Sequence, residues 1–320
     1  MSADVLIIGA GPMALAHAAA LRHMGCGFSG VCRSQESAEK FRAATGAPCH
    51  SGGLDLLLQK HTPAMAVVAT PVADLAGATQ RLIASGCRAI LVEKPGGTTH
   101  ADVARLAALA AAAGTAVHVA YNRRFYASVR RLRELAAEDG GVVSFHFEFT
   151  ELADRVALLP YPPEVLANWE LANSTHVIDT AFFIAGKPRS LQSMTAGVGD
   201  LPWHPRCARY VGHGVTESGA LFSYIADWDA PGRWGIDVNT RRRRFVLRPM
   251  ETLQVQQRGA FTLEPIILDD AADRACKPGL LAQMRAFVAG EDSGSLIGIA
   301  EHARSLAFVT TAILKENAAS

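Results

Sequence analysis

Neither sign of charge prevails in this sequence: 31 basic residues face 30 acidic ones over 320 positions, a net charge of +1. That balance argues against nucleic acid or an anionic membrane as partner and points to a small-molecule ligand. Long apolar runs are missing too, and no segment approaches the roughly 20 residues needed to span a bilayer. Cysteines are present (Cys26, Cys32, Cys49, Cys87, Cys207 and Cys276) but stand in no CxxC or other metal-ligand spacing, so no metal site is expected. A secretory leader is not read either, since Met1-Ser2-Ala3-Asp4 runs straight into an apolar segment. Together these absences predict reduced thiols in a cytoplasmic protein. There is no internal repeat. The one low-complexity stretch, alanine-rich from Ala101 to Ala116, has the composition of a surface helix.

What the chain has is enough length for two ordinary domains and a clear change of texture between them. Up to residue 120, short apolar runs (Val5 to Ile8, Phe28 to Cys32, Met65 to Ala69, Ala89 to Val92, Ala116 to Ala120) alternate with mostly alanine-rich helical segments. This spacing predicts an α/β domain, a Rossmann-like doubly wound parallel sheet over residues 1–121. Beyond Tyr121, a basic amphipathic helix is expected from Arg123 to Glu138, a strand over Val142 to Thr150 and a helix from Ser174 to Ile184 stopped by Gly186-Lys187-Pro188. Four alternating segments follow, Ala220 to Trp228, Trp234 to Asn239, Phe245 to Pro249 and Thr252 to Gln257, which read as an antiparallel meander. Helices around Gly279 to Ala289 and from Ile299 to Glu316 close the chain. Residues 122–320 are therefore expected to form an α+β domain on a mainly antiparallel open sheet. Arg241-Arg242-Arg243-Arg244 falls between two strands, where a solvated hairpin competes with an anion site.

The first strand runs into Gly9-Ala10-Gly11-Pro12-Met13-Ala14, which is G-x-G-x-x-A, a permitted form of the dinucleotide fingerprint. Gly9 makes the tight turn, Gly11 lets the backbone approach the pyrophosphate, and Ala14 keeps helix and strand close. The second strand ends in Arg33-Ser34 where a ribose-binding acid would otherwise stand. A carboxylate there would repel a 2′-phosphate, whereas a guanidinium and a hydroxyl bind one, so NADP(H) is expected in preference to NAD(H). The alternative for Arg33 is a solvated loop residue. Thr70-Pro71, after the third strand, lies at the ligand-binding edge of the sheet. At that edge Glu93-Lys94-Pro95 ends the next strand and makes Lys94 the lead catalytic residue.

With these motifs, Tyr121-Asn122-Arg123-Arg124-Phe125 and Ser174-Thr175-His176-Val177-Ile178-Asp179 standing in order, the chain resembles the glucose-fructose oxidoreductase and inositol dehydrogenase (Gfo/Idh/MocA) family over essentially its whole length. The resemblance implies hydride transfer between a nicotinamide cofactor and a sugar or cyclitol, with an oligomer, a homodimer or homotetramer, built through the C-terminal sheet. It makes Lys94 the lysine that hydrogen-bonds the reacting oxygen and His176 the histidine that exchanges its proton. Hydride transfer at carbon requires such groups, because a proton must move on oxygen and a cation must stabilise alkoxide character. The resemblance also places Asn122 near the nicotinamide; Glu93 is expected beside the cofactor, Arg123 or Arg124 against an anionic substrate group, and Tyr121, Trp169 and Asn173 toward the substrate. For His176 the alternative is a satisfied polar residue on a core-facing helix, and for the two arginines a solvated pair at a helix N-terminus. Trp203, His204 and Tyr210 are candidates for sugar stacking, though aromatics in such loops more often pack.

One position departs from the family pattern. Many members carry an aspartate four residues before the histidine, one turn earlier on the same face, and here that residue is Ala172. Without that carboxylate His176 should be the weaker base, and reduction should be easier than alcohol oxidation. The departure keeps two other readings open, an imine or enone reductase of the same fold and a non-catalytic NADP-binding regulator.

Overall fold

Short apolar runs without polar alternation, such as Val5–Ile8 and Met65–Val68, bury every or nearly every residue, as strands covered on both faces must. The computed structural model describes residues 4–315, and its contacts divide the chain into two units. The first unit holds the strands β1 (Val5–Ile8), β2 (Phe28–Val31), β3 (Cys49–His50), β4 (Met65–Val68), β5 (Ala89–Glu93) and β6 (Ala116–Ala120). They pair in parallel in the order β6-β5-β4-β1-β2-β3, a doubly wound sheet. The intervening helices are α1 (Pro12–His23), α2 (Gln35–Thr45), α3 (Leu54–Leu58), α4 (Val72–Ala84) and α5 (His100–Ala113). Helix α5 is the expected alanine-rich helix; Thr99 and Asp102 form a reciprocal capping box at its start and Gly114 closes it in the left-handed region, which explains its sharp ends.

The first unit runs to Phe125 and takes in a second segment, Ala271–Arg304, so the structure groups the chain differently from a single boundary after Tyr121. Apolar burial explains the return. Leu281, Met284 and Phe287 enter the same core cluster as Ala14, Ala18 and Leu21 of α1. A two-residue strand, Ile297–Gly298, also pairs antiparallel with β6 and extends the sheet. Cysteines of this unit are free thiols. The Sγ atoms of Cys32 and Cys49 lie 3.5 Å apart, and burial pushes the Cys49 thiol up to about 12.

The second unit runs from Tyr126 to Asp270 and resumes at Ser305. The basic helix of its first part begins later than expected. Residues Asn122–Phe125 form a 3₁₀ turn that belongs to the first unit, Tyr126 is extended, and α6 covers Ala127–Glu138. Strand β7 (Ser144–Glu148) follows, then two single-turn helices, α7 (Ala153–Val156) and α8 (Pro163–Leu166), a π turn over Glu170–Ser174 and α9 (Thr175–Ala185). The sheet continues through β8 (Pro188–Ala196), β9 (Arg209–Thr216), β10 (Leu221–Asp227), β11 (Gly235–Asn239), β12 (Arg243–Leu247), β13 (Gln254–Gln257) and β14 (Glu264–Pro265). Its order is β14-β13-β12-β11-β7-β10-β9-β8. Every pairing is antiparallel except β7 with β10. One face buries Phe145, Phe147, Phe222 and Tyr224, with Phe182 of α9 set edge-on against Phe145 and Phe222.

Strands β8 and β9 were not legible in the sequence. Gly212 breaks the apolar alternation of β9, yet a side chain there would collide with the ring of Tyr224; the glycine makes room for a neighbour's aromatic. The remaining helices are α10 (Ala271–Ala275), α11 (Leu280–Ala289) and α12 (Ile299–Phe308), the last followed by a π turn over Val309–Ile313. The expected end of the final helix at Glu316, like Met1, Ser2 and Ala3, lies outside the described residues. No helix among those described is long and apolar enough to cross a membrane.

Candidate active site

The β1–α1 turn is set by close packing on one side and open space on the other. Gly9 has φ +115°, and a Cβ on it would lie 2.5 Å from the carbonyl oxygen of Ala69 at the end of β4, so only glycine fits there. A Cβ on Gly11 would meet nothing within 4 Å. Gly11 is also the N-cap of α1, with Pro12 at the first position, no side-chain cap and no acidic residue in the first turn. The N–H groups at the start of α1 thus lack an internal anion, the arrangement that receives a phosphate. Ala14 is fully buried behind the turn. Thr70, beside Ala69, carries a buried hydroxyl oxygen without a hydrogen-bond partner among the described residues. An open backbone cradle, an uncapped helix and an orphaned hydroxyl are together what a dinucleotide would fill.

At the end of β2, Arg33 is 81 % exposed and pairs with Asp74 in the first turn of α4 at 3.4 Å. Ser34 caps α2: its Oγ accepts from Ser37 N at 3.2 Å and donates to Ser37 Oγ at 2.9 Å. Pro71 is the N-cap of α4. Arg33, Ser34 and Pro71 therefore flank the carboxyl edge of β2 and β4.

Lys94 is the only half-buried residue between positions 91 and 97, all the others being buried. Both its neighbours are held by histidines. The carboxylate of Glu93 accepts from His17 Nε2 of α1 at 2.8 Å, and the carbonyl of Pro95 accepts from His302 Nε2 of α12 at 2.9 Å. The ring of His302 also meets Tyr121 edge-on, and Tyr121 is buried. Asn122 donates from its side-chain amide to Pro278 O at 2.9 Å. The amide of Gln283, in the orientation that satisfies both of its ends, accepts from the backbone N–H groups of Tyr121 and Asn122. Arg124 is buried and Arg123 half-buried in the same turn. Sequence reasoning missed His17, His302 and Gln283. A histidine on the buried face of an alanine-rich helix was a usable signal for His17; His302 sits 207 residues from its partner and gave none.

In the second unit, Trp169, Asn173 and His176 fall along one π-to-α segment. Trp169 is buried against Tyr161. Asn173 donates to the buried carboxylate of Glu151 at 3.0 Å, and Ser174 donates to it at 2.7 Å. His176 is buried with its ring 6.1 Å from that of Trp234, and Ala172 is buried one turn before it. Glu170 is fully buried and gathers His204 at 3.1 Å, Arg206 at 3.4 Å and the Tyr210 hydroxyl at 3.1 Å. Burial, reinforced by the Glu170 charge, pushes the Tyr210 phenol far up. His204 and Tyr210 are thus spent on a buried carboxylate, and Trp203 stacks on Trp228. These aromatics pack, and the sugar-stacking role considered for them has no open surface at His204 or Tyr210. Arg243 and Arg244 are also engaged, with Asp139 and Asp237.

Residues 3–121 match the model of the family described as "Oxidoreductase family, NAD-binding Rossmann fold", Gfo/Idh/MocA. The chain carries this family's nucleotide-binding domain. Residues 3–121 are the NAD(P)-binding domain of an oxidoreductase of the Gfo/Idh/MocA type. An oxidoreductase from Agrobacterium radiobacter, solved with NAD+, L-tartaric acid and magnesium, superposes with a TM-score of 0.78 at 17% identity, covering 98% of this chain and 95% of that one. A proposed NADPH-dependent oxidoreductase from Desulfitobacterium hafniense gives 0.77 at 18% identity, with 98% and 94% covered. Levoglucosan dehydrogenase in complex with NADH gives 0.77 at 17% identity, with 98% and 96% covered. No curated protein sequence matches the chain.

Proposed function

We propose that this Gfo/Idh/MocA-type oxidoreductase prefers NADP(H) over NAD(H) and moves hydride between nicotinamide and a sugar, a sugar derivative or a related carbonyl compound. The observation that carries the reading is that one carboxyl edge of a parallel sheet presents both the uncapped start of α1 and, at the end of β5, Lys94. Gly9, Gly11, Pro12, Met13 and Ala14 hold the pyrophosphate, Arg33 and Ser34 the 2′-phosphate, and Thr70, Pro71, Glu93 and Asn122 the rest of the nucleotide. When bound, the nicotinamide supplies or accepts hydride. The Lys94 ammonium stabilises negative charge on the reacting oxygen and His176 exchanges the proton there. Tyr121, Arg123, Arg124, Trp169 and Asn173 line the substrate side. With alanine at position 172, reduction is the easier direction. Sugar substrates follow levoglucosan dehydrogenase, a protein of this fold solved with NADH and levoglucosan. The protein works in the cytoplasm, with the first unit binding the cofactor and the second contributing substrate contacts and the contact with a second copy of the chain.

The test is a titration of both cofactors against the wild type and Arg33→Ala. Losing the guanidinium should weaken NADPH by about 1.5–3 kcal/mol, the magnitude of a charged hydrogen bond, and leave NADH nearly unchanged. Equal wild-type affinities for NADPH and NADH would refute the preference.

A further inference from the structure

Lys277 stands at the cofactor edge although it lies in the chain's second half. It follows α10, in the segment that returns to the first unit, and its Nζ is 2.9 Å from Sδ of Met13. Met13 is the second residue of α1. The segment around Lys277 is fixed. Leu280 N donates to Lys277 O at 3.0 Å, and Gly279 N donates to Asp273 Oδ1 at 2.9 Å. The next residue, Pro278, accepts from Asn122 at 2.9 Å, and Gln283 of α11 holds the backbone of Tyr121 and Asn122. One short segment therefore braces the turn after β6 and delivers an ammonium to the first turn of α1.

Among the described residues, the contact found for this ammonium is a thioether and not a carboxylate. A thioether is a weak acceptor for an ammonium with three donors. The first turn of α1 offers no carboxylate and no side-chain cap, while its free N–H groups themselves favour an anion. Two positive features converge, one from the helix and one from the lysine, and lysine is a common point-charge ligand for phosphate. We infer that Lys277 is a cofactor-binding residue whose ammonium neutralises the pyrophosphate held at the start of α1. The inference rests on the cofactor reading above and adds a ligand that the glycine fingerprint does not contain.

Calorimetric titration of the full-length protein with NADP+, NAD+, ADP-ribose and 2′-AMP separates the two. ADP-ribose has the pyrophosphate without nicotinamide or 2′-phosphate; 2′-AMP has the 2′-phosphate without the pyrophosphate. Lys277→Met should weaken NADP+, NAD+ and ADP-ribose alike, by about tenfold or more, as loss of a charge-assisted contact does. Its affinity for 2′-AMP should stay within about twofold of wild type, which also reports that the variant is folded. Lys277→Arg should restore most of the loss. If the wild type binds ADP-ribose and Lys277→Met binds it equally well, or loses 2′-AMP to the same extent, the role of Lys277 is refuted while the cofactor reading stands. A wild type that binds none of the dinucleotides overturns both.

Discussion

Lys94 leaves β5 between two neighbours that cannot move far, because Glu93 is tied to His17 and Pro95 to His302. A cation fixed in this way stabilises charge that develops in the transition state without reorganising, which is where such a group contributes most. Lys94→Ala should therefore lower turnover at least about a hundredfold while cofactor affinity stays within a few-fold of wild type. Steady-state rates and cofactor titration on the folded variant check this; a rate within a few-fold of wild type would remove Lys94 from the chemistry. Of the residues around it, the glycines and the lysine were legible because their roles depend on local backbone or strand-end position. His17 and His302 were not, since a hydrogen bond across the fold leaves no spacing in the chain.

At the scale of elements, the tetra-arginine run shows how sequence charge is redistributed by folding. Arg241 and Arg242 are exposed at the tip of the β11–β12 connection, but Arg243 turns inward. Its Nε and Nη2 donate to the two carboxylate oxygens of Asp139 at 2.8 Å each, and Nη2 also reaches Leu135 O at 3.0 Å. Thr240 Oγ1 donates to the same carboxylate at 2.8 Å. The pair fastens the end of α6 to the start of β12 with side chains 18 % and 2 % exposed. The Arg243 guanidinium holds the Asp139 carboxyl below its ordinary range. A carboxylate depressed on folding stabilises the native state above its unfolded pKa of about 4, and the contribution is lost as pH falls through the folded value. Asp139→Asn should cost about 1.5–3 kcal/mol at pH 7, because it removes the bidentate carboxylate from a partly buried guanidinium that keeps Glu138, at 3.4 Å, as counter-charge. Urea unfolding from pH 7 down to pH 3 should show wild type and variant converging at the acid end.

Over the whole molecule, one row of apolar side chains stands exposed on the otherwise largely polar outer face of the second sheet. Met194, Val211 and Ile225 are exposed and lie in register across β8, β9 and β10. We propose this row as the contact of the oligomer that the family resemblance implies for this sheet. Val211→Asp, placing a charge in the middle of the row, should shift the protein to a smaller species in light scattering after gel filtration. An unchanged mass would move the interface elsewhere.

The sequence by itself determined five of the first unit's parallel strands, the turn at Gly9–Ala14, the strand-end position of Lys94, the presence of α5 and, to within a residue, the limits of α9, because each follows from periodicity or a glycine's backbone within a few residues; the end of α5 at Ala113 and the short β3 did not. Only the tertiary structure decided that 271–304 return to the first unit, that β7 and β10 pair in parallel, that β8 and β9 are strands, and that Arg243, His204 and Tyr210 serve buried carboxylates. These depend on which apolar face finds which partner across the fold, or on an unlike charge supplied by another element, and neither leaves a local trace. Lys277 belongs to the second group: in the chain it is an ordinary lysine before a proline, and folding sets it beside the first turn of α1.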